Sequence, residues 1–136
     1  MSLFEALSEA PERLSWASRF TILNGLLYMG SGLLMLAWPG AVQTLFQDPE
    51  FVGNEGAMVR LLGMTVTVIG WFYVFGGRSG GRQFVAATVL DRIVLVPLVL
   101  VPTIWMGVFP HTLALFAVLD PTLGLIAWWL LSRERR

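Results

Sequence analysis

The chain has 136 residues, of which 56% are hydrophobic and only 13% are charged, and its mean hydropathy is +0.71. A soluble domain carries roughly a quarter charged residues, so this composition argues against a soluble class and indicates one integral membrane domain. The absence of cysteine excludes disulfides and cysteine-ligated metals, and a formal net charge of zero gives no reason to expect a nucleic-acid partner.

The segment before the first apolar stretch, residues 1–19, predicts a short interfacial helix. Leu3, Phe4 and Leu7 are spaced to share one helical face, and acidic residues supply the polar positions. A partly ordered terminus is the alternative interpretation. No cleavable signal peptide is recognisable.

Residues 20–136 predict an all-α, integral membrane four-helix bundle. Crossing a bilayer takes about 20 apolar residues, and the chain holds four such stretches. The predicted spans are about 20–38, 57–76, 84–106 and 111–131.

The distribution of arginine predicts the orientation of the spans. Lysine is absent, so arginine supplies all the positive side chains that the positive-inside rule counts. The N-terminal segment, the loop between spans two and three and the C-terminal tail hold Arg13, Arg19, Arg78, Arg82, Arg133, Arg135 and Arg136. The other two loops hold no arginine, and the first of them is acidic. By the positive-inside rule, both termini are expected in the cytoplasm.

Small residues recur at helical spacing in spans one and two. In span one, Gly25, Tyr28 and Gly32 share a face, and Asn24 and Tyr28 need polar partners. Small side chains let helices approach closely in lipid, so tight packing between helices is the favoured interpretation. Span two shows a stripe of glycines seven residues apart, at Gly56, Gly63, Gly70 and Gly77.

The apolar spans also contain charged residues. At 1.5 Å per residue, Arg92 lies about 12 Å from one surface and Asp120 about 13 Å from the other, so they are nearly level and can pair. Asp91 faces a different neighbour, and its candidate partners are Arg60 and hydroxyl groups on span one or two. Arg60 itself either snorkels outward or turns inward to a carboxylate. Pro97 is expected to bend the third span just beyond the charges.

A charge near the bilayer centre costs about 2.5–3.5 kcal/mol on insertion scales. The four charges Arg60, Asp91, Arg92 and Asp120 sum to zero, which favours mutual pairing inside the bundle. Two interpretations stay open. The cluster is a functional site, as intramembrane ionisable residues usually are, or it fixes the register of the helices.

Span two has a pattern found elsewhere. It starts with Arg60 and continues as G-x6-G-x2-Y, at Gly63, Gly70 and Tyr73. This pattern resembles the second span of small bacterial membrane proteins of the DoxX-like type. Arg92 in span three and Asp120 in span four also resemble residues of that type of protein. The resemblance implies a four-helix bundle in the bacterial inner (cytoplasmic) membrane and assigns no catalytic residue.

Three functions compete on these observations. The first is binding of a small or lipid-like ligand, in which arginine would hold an anionic or quinone-like head group. In a variant of this function the charged residues would act as a proton relay. The second is a structural or accessory subunit of a membrane complex or homo-oligomer. The third and least favoured is a lipid-modifying enzyme, because no second catalytic set is visible. Membrane lipid is the expected surrounding partner, and neither a metal nor a cofactor is predicted. An accessible pocket favours the first function, and its predicted lining is Tyr28, Arg60, Tyr73, Asp91, Arg92 and Asp120.

Overall fold

The computed structural model describes residues 1–134. A single π-helical turn, Asp91–Leu95, joins two of its α-helices, and the described residues form no β-strand. The α-helices are α1 (Leu3–Ser8), α2 (Trp16–Ala37), α3 (Pro39–Phe46), α4 (Glu55–Arg78), α5 (Arg82–Leu90), α6 (Val96–Trp105) and α7 (Pro110–Arg133).

Four helical segments are long and apolar enough to cross a membrane. They are α2, α4, the continuous segment Arg82–Trp105 (here the third span) and α7. Their bounds agree with the predicted spans to within a few residues, and the all-α membrane bundle is confirmed. Arg135 and Arg136, which belong to the predicted basic tail, lie outside the described residues.

The most extensive helix contact among the described residues is between α2 and α4. A Cβ atom built on Gly63 would lie 2.7 Å from the carbonyl oxygen of Gly32, and one on Gly70 would lie 2.6 Å from that of Gly25. Real Cβ atoms do not approach so closely, so these positions accept only glycine. The predicted glycine packing is therefore confirmed. Gly56 is the exception, because a Cβ there would meet no other helix.

The end of the bundle that carries both termini is tied together by Glu134. Its carboxylate accepts a hydrogen bond from the Ala17 backbone N–H at 2.9 Å and lies 3.5 Å from the Arg82 guanidinium. These contacts join the last residue that the structure describes to the starts of α2 and α5. Helix α1 lies at the same end, where Arg78 donates a hydrogen bond to the Ser8 carbonyl at 3.3 Å.

The predicted N-terminal segment contains a helix, α1, but this helix covers only Leu3–Ser8, and residues 16–19 belong to α2. Ser2 and Glu5 form a reciprocal capping box that satisfies two of the first backbone donors of α1. Leu3 and Phe4 remain exposed, by 75% and 81% of their surfaces. Such exposed apolar side chains suit a helix at the membrane surface.

The opposite end of the bundle is closed by Asp48, which lies between α3 and α4. Its buried carboxylate accepts hydrogen bonds from the backbone N–H groups of His111 at 2.7 Å and Thr112 at 3.0 Å, and from the Thr112 hydroxyl. The first N–H groups of a helix have no partner within that helix. Asp48 therefore caps α7 from a distant part of the chain.

Replacing Asp48 by alanine is expected to lower the free energy of unfolding by about 0.5–2 kcal/mol, the range measured for lost helix caps. Glu50→Ala is the matched control, because Glu50 is an exposed acid in the same loop. Unfolding of both variants with sodium dodecyl sulfate, followed by circular dichroism in a mild detergent, measures the difference. Equal stability of the two variants would contradict this capping role.

Candidate functional site

The third span loses its regular helical geometry halfway along its length. A π-helical turn covers Asp91–Leu95, closed by a hydrogen bond from the Val96 N–H to the Asp91 carbonyl. Pro97 lies two residues after this turn, and its ring lacks an N–H and would crowd the preceding turn of a regular helix. The distortion was expected just beyond the charges, whereas the structure places it at the charges themselves. Such π-bulges are frequent at functional sites.

Arg92 is held almost entirely inside the bundle, with 1% of its surface exposed. Its Nε donates to the Thr88 carbonyl at 2.9 Å, and its Nη2 donates to the Thr88 hydroxyl at 3.0 Å. The guanidinium carbon lies 5.2 Å from the centroid of the Tyr73 ring, which is a cation–π distance. Its Nη1 has no hydrogen-bond partner among the residues described.

Two acids inside the bundle, the buried Asp120 and the half-buried Asp91, accept hydrogen bonds from tyrosines of the first two spans. The Tyr28 hydroxyl of α2 donates to Oδ1 of Asp120, and the Tyr73 hydroxyl of α4 donates to Oδ2 of Asp91 at 3.3 Å. The two tyrosine rings meet edge to face with centroids 5.4 Å apart. Together with Arg92, these residues draw on all four spans. We call Tyr28, Tyr73, Asp91, Arg92 and Asp120 the polar cluster.

The structure does not form the predicted direct pair between Arg92 and Asp120. The ion pair between an arginine and an acid within residues 1–134 is Arg82–Glu134, and His111 Nδ1 lies 3.8 Å from Asp48 Oδ1. Helical side chains lean toward the start of their own helix, so on these antiparallel helices Arg92 and Asp120 lean in opposite directions.

The contact between the third span and α7 shows the same offset. Arg92 packs on Gly124, where a built Cβ would lie 3.2 Å from the Arg92 Cβ. Asp120 is one helical turn before Gly124 in α7. Its carboxylate therefore meets Tyr28, whereas the guanidinium returns to Thr88. For Asp91, the hydroxyl partner is confirmed, because Tyr73 lies on span two.

Arg60 stands apart from the polar cluster. It is exposed on α4 and makes no ion pair with any residue that the structure describes. Of its two predicted orientations, the outward one is observed. Its assignment to a ligand site stays a prediction, and the structure does not bring it to the other five residues. The interior charges are consequently two carboxylates and one guanidinium.

A lateral cavity of about 370 Å³ reaches the polar cluster from the side of the bundle. It forms because α6 packs on α7 without a substantial contact to α4. Leu95 and Val99 on its wall are 55% and 61% exposed, so the lateral cavity opens toward the surrounding lipid. Its lining consists of Leu62, Thr65, Val66, Ile69, Asp91, Leu95, Val96, Val99, Leu100, Leu113, Phe116 and Asp120.

A recess of about 50 Å³ adjoins the lateral cavity and ends at the two tyrosines. Asp91 and Asp120 line both spaces, whereas Arg92 lines neither. The polar end of the lateral cavity therefore presents carboxylate oxygens and aromatic rings, with the guanidinium behind them.

Some residues of the site escaped prediction. Thr88 precedes Arg92 by four residues, and this spacing is a usable signal for a hydrogen bond along one helix face. Phe116 and Val96 carry no such signal, because they are two apolar residues among many in lipid-facing helices. Asn24 was expected to need a polar partner, and its buried Nδ2 has none among residues 1–134.

The donor set of the polar cluster does not suit a metal ion. Within the described chain, no group of three histidine, cysteine or acidic residues is arranged to hold one. The cluster can instead accept hydrogen bonds and neutralise a positive charge. No protein-family model, curated protein or solved structure matches this chain.

Proposed function

We propose that this membrane protein binds an amphipathic, lipid-like ligand in the lateral cavity. The observation that carries the proposal is an apolar cavity, open to lipid, that ends at Asp91 and Asp120. Ligand pockets are mostly apolar, measure about 300–1,000 Å³ and place a few polar groups to orient the ligand. The apolar tail would lie along α6, and the head group would lie at the polar cluster.

The energetics of the polar cluster support a binding role. Placing ionisable groups in the bilayer core costs a few kcal/mol for each group, and apolar packing is usually at least as stable as a buried ion pair. A cluster that only fixed helix register would be expected to be dry and fully paired. Here Arg92 Nη1 lacks a partner and both acids line a cavity.

The competing role as a structural subunit would favour a glycine face free to meet a partner. The contact between α2 and α4 within one chain already occupies the glycine faces, at Gly25, Gly32, Gly63 and Gly70. This use supports the binding function over an accessory one.

The proposed setting is the bacterial inner membrane, as the resemblance to DoxX-like proteins implies. Termini in the cytoplasm would place the arginine-rich end of the bundle inside the cell. The third span lines the lateral cavity from Asp91 onward. The cavity therefore lies between the π-helical turn and the end of the bundle that Asp48 closes. Its ligand would therefore enter from the outer half of the bilayer.

Filling the lateral cavity should remove a bound ligand without unfolding the protein. We expect Val96→Phe to lose most of any lipid-like adduct seen by native mass spectrometry after purification in mild detergent, because the added ring occupies the cavity. Leu98→Phe is the matched control, since Leu98 is on the same helix, 67% exposed and outside the lining. Equal adduct occupancy in the two variants would count against the proposal.

A further inference from the structure

The polar end of the lateral cavity selects the charge of the ligand's head group. We infer that the head group is an organic cation, an amine or quaternary ammonium carried on an apolar tail. This inference rests on the proposed function, because it concerns the same cavity. It reverses the sequence-based expectation that arginine would hold an anionic or quinone-like group.

The first reason is the position of the guanidinium. Arg92 donates two hydrogen bonds to Thr88, lies against the ring of Tyr73 and is absent from the walls of the lateral cavity and its recess. An anionic head group in the lateral cavity would meet carboxylates before it met the arginine. Both tyrosine hydroxyls already donate their hydrogen to the acids, so neither can donate to an anionic head group.

The second reason is the unused capacity of the acids. Asp120 is 9% exposed and receives one hydrogen bond, at Oδ1, so its Oδ2 accepts none from the residues described. Asp91 receives one at Oδ2, and its Oδ1 is likewise without a donor. An ionised carboxylate has about four acceptor sites. Two acids that line an apolar cavity with free oxygens are suited to an ammonium group.

The third reason is charge balance. With Arg60 outside the polar cluster, two carboxyl groups face one guanidinium, so a monovalent cationic head group is what lets both acids ionise without leaving a net charge inside the bundle. An uncompensated charge in the bilayer core is unfavourable, and a monovalent cationic head group compensates it. The recess adds the rings of Tyr28, Tyr73 and Phe116, and aromatic rings bind quaternary ammonium groups through cation–π attraction.

The test compares head groups on one tail. The full chain is placed in nanodiscs of digalactosyldiacylglycerol, an uncharged lipid without an amine or ammonium group, and binding of dodecyltrimethylammonium, dodecylphosphate and dodecanol is measured by isothermal titration calorimetry against empty nanodiscs. We expect saturable binding of the cation only. Asp91→Asn should weaken that binding by about 10- to 100-fold, the range for losing a charged hydrogen-bonding partner, and Leu98→Phe should leave it unchanged.

The outcomes separate the two proposals. If dodecylphosphate or dodecanol binds saturably, is blocked by Val96→Phe and exceeds the cation in affinity, the cationic head group is wrong and the binding function stands. If no probe binds above the empty nanodiscs, or if Val96→Phe changes nothing, both proposals fail. If Asp91→Asn binds the cation as tightly as the unaltered chain, the carboxylates do not select the head group.

Discussion

Gly70→Ala is expected to separate α2 from α4 and to leave little folded protein in detergent. The new methyl carbon would lie 2.5 Å from the Met29 backbone nitrogen and 2.6 Å from the Gly25 carbonyl oxygen. Both clashing atoms belong to the backbone, so no side-chain rotation relieves the contact. Overpacking costs about 1–3 kcal/mol in ordinary cores, and more is expected where two helices must move apart.

The control for this variant is Gly30→Ala. Gly30 lies on α2, yet a Cβ built there has no neighbour within 4 Å. Alanine has the higher helix propensity, so this variant should be at least as stable as the unaltered chain. Unfolding in sodium dodecyl sulfate, followed by circular dichroism, gives both free energies. A loss of stability below about 0.5 kcal/mol for Gly70→Ala, the size of an ordinary surface substitution, would show that the helices are not in backbone contact.

The bundle itself was predictable because its signals lie within single helices. Apolar length defines a span, and the seven-residue spacing of Gly63 and Gly70 defines one face of a helix, whatever lies opposite. The face of Asp120 and Gly124 was predictable in the same way, and the structure buries both residues.

The partners of the charges were harder to predict because they depend on the geometry between helices. The depths of Arg92 and Asp120 in the bilayer are nearly equal, and on that basis the two residues were expected to pair. Depth in the bilayer does not include the direction in which each side chain leans along its helix. The hydrogen bonds of Asp48 to the start of α7 depend on where a loop folds back, and local spacing carries no information on that. The lateral cavity arises from the space that α6 leaves beside α4, which is likewise a property of the assembled bundle.

Arg92→Met is expected to lower the free energy of unfolding by about 1.5–3 kcal/mol, the range for hydrogen bonds made by a charged group. Asp91 and Asp120 would remain inside without a compensating charge, and the Thr88 hydroxyl would lose its donor. Arg60→Met is the control, since that arginine is exposed and outside the polar cluster. Its effect should stay within about 0.5 kcal/mol in the same unfolding measurement.

Two further combinations identify what Arg92 does. Adding Asp91→Asn and Asp120→Asn to Arg92→Met should restore part of the stability, because the interior then holds no uncompensated charge. Exchanging the charges, as Arg92→Asp with Asp120→Arg, should not restore it, since Arg92 is bound to Thr88 and Asp120 to Tyr28 and not to each other. Rescue by the exchange would mean that the arginine and the acid pair directly. The polar cluster would then be a register-fixing ion pair, and the acids would not be free to receive a ligand.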